Sequence, residues 1–182
     1  HDLGDSDYFF MQKVDGDNLE HVKADLPPAA QTAIDLQIGR IIRAVNSFEG
    51  AYFGYDGNPA LRAATWKEAF TKIIDSILAD AADKQVAFDS SYDELRAAVQ
   101  AHAAALEEVT APCLVHWDAW NPNFFVRDGC ITGIIDFERA LWADPLMEAQ
   151  FRRLDASGDT GSTAGSTAGI TDALRGYGKT AF

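Results

Sequence analysis

The chain has 182 residues, with 28 Asp and Glu against 15 Lys and Arg, for a formal net charge of −13. That balance excludes a general nucleic-acid binder, which presents a basic face to phosphates, and argues against docking on anionic lipid. Hydrophobic residues make up 47%, too many for a disordered chain, and no apolar run approaches the roughly 20 residues that span a bilayer. The two cysteines, Cys113 and Cys130, form no disulfide framework, and a reducing cytoplasm fits them best.

Tyr8 to Val14 (YFFMQKV) is a short aromatic and β-branched run, and Asp15-Gly16-Asp17-Asn18 supplies turn chemistry. The pattern predicts a strand leaving into a loop. Pro27-Pro28 start a helix in which Ile34, Ile38, Ile41, Ile42, Val45 and Phe48 make one apolar stripe, with Gly50 as its stop. A loop from Gly50 to Pro59 follows. Thr65-Trp66-Lys67-Glu68 reads as a capping box ahead of a second helix marked by Trp66, Phe70, Ile73, Ile74 and Ile77. Ser91-Tyr92-Asp93-Glu94 is another, opening a third helix with Leu95, Val99, His102, Leu106 and Val109 on one face. His102, alone among apolar neighbours there, reads as a structural histidine.

The texture changes at Ala111. Leu114-Val115 is a short strand. Phe124 to Arg127 and Cys130 to Ile135 are two more, joined by Asp128-Gly129, the strongest short-range hairpin signal. Leu141 to Leu154 patterns as helix. The low-complexity stretch around GSTAGSTAG, within 155–171, reads as a flexible surface loop. Thr171 to Phe182 closes the chain as a short helix.

The chemistry concentrates around the hairpin. Asp118 follows a strand, Asn123 comes five residues later where the next strand begins, and Asp136 comes thirteen after that, at the end of the hairpin's second strand. Two carboxylates and a carboxamide are thus delivered to one end of a hairpin. One Asp and one Asn suit a hard cation such as Mg²⁺, which keeps several waters and shares phosphate oxygens; the other Asp is free to accept a proton. Asp and Asn in loops also cap turns and helices, and each taken singly fits that role as well.

His116-Trp117-Asp118-Ala119-Trp120-Asn121-Pro122-Asn123 resembles the H-x-D-x-x-x-x-N catalytic loop of the aminoglycoside phosphotransferase and choline kinase superfamily, and Ile134-Ile135-Asp136-Phe137 resembles its metal-binding motif. Ala143-Asp144-Pro145 is similar to a G-D-P that follows in many members, Tyr8 to Gly16 to a segment that ends in the hinge between two lobes, and Tyr177-Gly178 to part of a late G-Y-G.

The resemblance implies an α+β, protein kinase-like fold, seen as a mainly helical C-terminal lobe with a small β hairpin at the catalytic site. Residues 1–18 would be hinge strand and linker, 19–110 a helical part, 111–145 the catalytic loop and metal hairpin, and 146–182 C-terminal helices. It implies an ATP- or GTP-dependent phosphotransferase using Mg²⁺ on a hydroxyl of a small molecule, with an aminoglycoside-like or amino-alcohol acceptor and a possible part in antibiotic resistance. By resemblance Asp118 is the catalytic base, and Asn123 and Asp136 hold the metal. Phe125 and Ile135 border the nucleotide, and Gln12, Lys13 and Val14 offer hinge backbone to its base. His116 and Asp144 support the loop, and Trp117 and Trp120 flank Asp118, either as contacts to a ring-bearing substrate or as packing of the loop onto the helices. Trp117 departs from the family, where Gly is commoner. The N-terminal β lobe that carries the phosphate-covering loop and its Lys has no counterpart in these residues. On this reading the missing lobe is a partner and the fragment alone transfers phosphate poorly; a non-catalytic pseudokinase or scaffold is the alternative.

Overall fold

The computed structural model describes residues 10–148 and 171–178. Tyr8 and Phe9 of the first expected strand, positions 149–154 of the helix expected from Leu141, the loop expected at 155–171 apart from Thr171, and 179–182 lie outside them. The described elements are β1 (Asp17–Asn18), α1 (Leu19–Val22), α2 (Pro28–Val45), α3 (Trp66–Asp83), α4 (Tyr92–Ala101), α5 (Ala103–Glu107), β2 (Cys113–Val115), β3 (Phe124–Arg127), β4 (Cys130–Ile134), β5 (Leu141–Ala143) and α6 (Asp172–Tyr177). This is a mixed α and β architecture with two small antiparallel sheets, one ordered β1-β3-β4 and the other β2-β5.

The hairpin forms where its signal lies. Arg127 pairs with Cys130, and Asp128 and Gly129 both take positive φ, 52° and 75°, as the favoured two-residue turn requires. β3 faces the core with Phe124 and Val126, and Phe125 points to the other side. α2 buries Ile34, Ile38 and Ile42 against Leu19, Ala119, Phe124 and Val126. A second cluster joins Trp66, Ala69 and Ile73 of α3 to Phe53, Val115, Leu141 and Ala143. The segment carrying Asp118 runs from Val115 in the second cluster to Ala119 and Phe124 in the first. Both cores therefore fix its ends.

Several expectations need correction. Residues 10–14 form no strand; Phe10 and Met11 are exposed at 88% and 61%. The chain meets the β3 edge only after Gly16, whose φ of 104° turns it so that Asp17 and Asn18 pair with Val126 and Phe125. α2 stops at Val45, before Gly50, and Phe48 lies beyond it, exposed. Thr65 caps α3 through the Glu68 N–H, but the Glu68 carboxylate turns to Lys72 at 3.1 Å instead of closing the box. The Ser91–Glu94 box is complete. The third helix breaks at His102, which is exposed at the junction of α4 and α5 and packs in no core.

The largest difference falls at 141–148. Leu141–Ala143 is a strand registered on Val115 to Cys113, followed by a single turn at Pro145–Met147. Pro145 disfavours helical backbone in Asp144 before it, and the Asp144 carboxylate caps the new turn through the Leu146 N–H at 2.9 Å. No helix among the described residues is long and apolar enough to cross a membrane.

Candidate active site

Asp118 and Asn123 are brought into direct contact. The Asn123 amide nitrogen donates to the Asp118 backbone oxygen at 2.8 Å and lies 3.4 Å from its carboxylate oxygen Oδ2. Asn123 is buried, and its amide nitrogen is turned to Asp118, which leaves its side-chain Oδ1 as an acceptor that a cation could use. Its backbone oxygen accepts the Ile135 N–H at 3.0 Å, so the start of β3 is tied to the residue before Asp136.

His116 is fully buried and links the same two segments. Its Nε2 lies 2.9 Å from the Ile135 oxygen, and its Nδ1 is 3.3 Å from the Asp118 nitrogen. Asp118 can only donate through that N–H, so Nδ1 accepts and Nε2 carries the proton. The imidazole is thereby used up holding the loop. The Phe137 ring covers it at a centroid distance of 4.3 Å.

Asp136 takes a left-handed backbone, φ 67° and ψ 60°, at the end of the hairpin. Its side chain is exposed and makes no cap bond to the turn at Phe137–Arg139, although it stands at the capping position. An uncommitted carboxylate and the Asn123 carbonyl give two hard oxygen donors, a set that fits Mg²⁺ bound jointly with phosphate. Among the described residues no three His, Cys, Asp or Glu side chains cluster as an all-protein cation site.

On the outer face of the hairpin, Phe125 pairs with Gly133, and Val14 packs directly on Gly133 where a Cβ would collide with it. Gln12, Lys13 and Val14 line a cavity of about 400 Å³ with Asp15, Arg127 and Thr132. Ile135, half-buried, contributes its backbone groups to Asn123 and His116. Trp117 is half-buried beside the second cluster, and Trp120 is exposed at 53%.

The support expected of Asp144 is supplied by a residue the motifs do not flag. Glu148 is fully buried, and its carboxylate accepts the N–H groups of His116 at 2.9 Å and Trp117 at 3.2 Å and the Asn46 amide at 2.9 Å. Burial pushes its pKa up, against the opposing pull of these donors. A lone Glu in the apolar stretch PLMEAQF, only three residues past Pro145, is the one sequence signal that points to it.

The loop thus sets the Asp118 carboxylate beside the Asn123 amide and is tied through the buried His116 to Ile135, the residue before Asp136. A model of the phosphotransferase enzyme family matches residues 1–152, and the chain belongs to that family. Among solved structures it is similar to the streptomycin–ATP ternary complex of the aminoglycoside phosphotransferase APH(2″)-IIa. The TM-score is 0.47 and the identity 20%, over 76% of this chain and 46% of that one. The chain thus spans about half the length of that enzyme. No curated protein matches it.

Proposed function

We propose that this chain carries the catalytic loop and metal motif of a kinase that moves the terminal phosphoryl group of ATP or GTP to a hydroxyl of a small molecule, an aminoglycoside or an amino alcohol. The observation that carries this reading is the contact of Asn123 with Asp118 together with the His116 bridge to Ile135. It supports a division in which one carboxylate takes the proton and the Asn123 side-chain oxygen and a second carboxylate serve a cation.

Asp118 accepts the acceptor hydroxyl's proton as the oxygen attacks the terminal phosphorus and the bond to the bridging oxygen breaks, releasing the nucleoside diphosphate; the Asn123 amide beside Asp118 keeps that carboxylate in place. Asn123 and Asp136 would hold Mg²⁺, which would neutralise charge on the nucleotide phosphates. Phe125 gives the adenine an apolar floor, and the backbone of Gln12 to Val14 offers hydrogen bonds to its edge. The close packing of Val14 on Gly133 opposite Phe125 supports this. Trp117 and Trp120 flank Asp118 on the acceptor side, and the acidic charge of −13 favours a cationic acceptor.

Calorimetric titration of the complete protein with nucleotide, with and without Mg²⁺, tests the metal assignment. Asp136→Ala should abolish Mg²⁺-dependent nucleotide binding, and Asp118→Asn should leave it largely intact. Undiminished Mg²⁺-dependent binding by Asp136→Ala would remove the metal role.

A further inference from the structure

The middle of the catalytic loop is held from a side that none of the motifs names. Asn18 closes β1 and precedes α1. Its amide nitrogen donates to the Pro122 backbone oxygen at 2.7 Å, across 104 residues of sequence, and its Oδ1 accepts the Glu20 N–H at 3.0 Å, capping α1. One side chain therefore serves a helix and the loop together. On the far side of α1, Lys23 pairs with Asp35 of α2 at 2.5 Å and reaches Asn121 Oδ1 at 3.5 Å. Between them Leu19 is fully buried in the same core as Ala119 and Phe124. The segment from Asn18 to Lys23 thus grips residues 121 and 122, immediately before Asn123. The hairpin and Glu148 hold the two ends of the loop.

We infer that Asn18, assisted by Lys23, is a positioning residue that sets the Asn123 carbonyl for the metal by fixing Pro122. This rests on the reading of Asn123 and Asp136 as the metal pair. The Pro122 nitrogen has no hydrogen to give and its φ is fixed. The N–H end of the Pro122–Asn123 peptide is held within the loop by the Trp120 oxygen at 3.0 Å, so the Pro122 carbonyl is the end of that peptide which a neighbour outside the loop can reach. With the carbonyl released, this peptide keeps its bond to Trp120 but loses its hold from outside the loop, and the Asn123 side chain is set less firmly against Asp118. Residues that orient metal ligands matter at this scale: their loss typically weakens metal affinity or activity by about 10- to 100-fold.

Asn18→Asp isolates the effect. It keeps the Oδ1 that caps α1, since Asp caps as well as Asn, and replaces the donor to Pro122 with an acceptor. Lys23→Met removes the second contact while keeping an apolar stem. The probe is Mn²⁺ with ADP, followed by electron paramagnetic resonance on the complete protein, alongside thermal unfolding. Asn18→Asp should weaken Mn²⁺–ADP binding by about tenfold or more, with its unfolding midpoint within about 4 °C of wild type, the scale of one lost hydrogen bond. Lys23→Met should shift binding in the same direction by less. Equal Mn²⁺–ADP affinity in wild type and Asn18→Asp would overturn the clamp alone. Wild-type protein that binds no Mn²⁺–ADP would overturn the metal pair and the clamp together.

Discussion

Trp117 and Asp136 hold left-handed backbone at φ 63° and 67°, each next in sequence to a residue of the His116–Ile135 link. A bulky residue there costs about 1–2 kcal/mol, so something must hold each in place. For Trp117 that is Glu148, which takes its N–H and that of His116. Glu148→Ala would leave the His116 and Trp117 N–H groups without this acceptor and take one bond from the Asn46 amide, which keeps its bond to the Leu114 oxygen. At about 1–3 kcal/mol for an unsatisfied buried group, with relaxation around the site, stability should fall by about 3 kcal/mol in urea unfolding. The charge itself gives a second test. Burial raises the Glu148 pKa above the ordinary 4.5, so the native state holds that proton more tightly than the unfolded chain. The stability from this group is complete below pH 4.5 and is lost as pH rises through the native pKa. Glu148→Gln should remove that part of the slope from a stability–pH curve; an unchanged slope would contradict the assignment. The contact of Asp118 with Asn123 was legible because the two stand five residues apart on one loop. Glu148 was not, because its meaning is a contact across 32 residues with backbone groups that carry no sequence signature.

At the scale of elements, local chemistry and tertiary contact divide the outcome. The Asp128-Gly129 turn and the Ser91 box were readable because each is complete within four residues. The strand at 141–143 was hidden because its apolar residues pack on β2, and nothing local marks that partner. The break at His102 was hidden because the 3.6-residue pattern continues through it. α6 against α2 depends on small residues at the crossing: a Cβ at Gly39 would collide with backbone at Ala173 and Tyr177, and one at Gly176 with backbone at Leu36. Gly39→Ala in a free helix would stabilise by about 1 kcal/mol. Here overpacking should reverse the sign and cost about 1–3 kcal/mol. Hydrogen exchange should then accelerate at Leu174 and Arg175 more than in α3. Unchanged exchange in α6 with a higher unfolding midpoint would contradict the close crossing.

Across the whole molecule, the loop that carries Asp118 is strung between two hydrophobic cores, with Val115 in one and Ala119 and Phe124 in the other. The Asp118 carboxylate is therefore placed by the packing of α2 and α3 alike, although neither helix carries a reacting group. The alternation and spacing of the sequence revealed a helical body with a hairpin; how two separate cores meet at one loop emerged only from their packing. The central claim is that Asp118 accepts the proton of an acceptor hydroxyl. The measurement that reaches it most directly is phosphate-ester formation from ATP or GTP by the complete protein on a panel of hydroxylated compounds, wild type beside Asp118→Asn, read by phosphorus NMR. Asp118→Asn should lower kcat by about a hundredfold or more on whichever acceptor the wild type uses, with Mg²⁺-dependent nucleotide binding retained. Turnover by Asp118→Asn equal to that of wild type would contradict the claim.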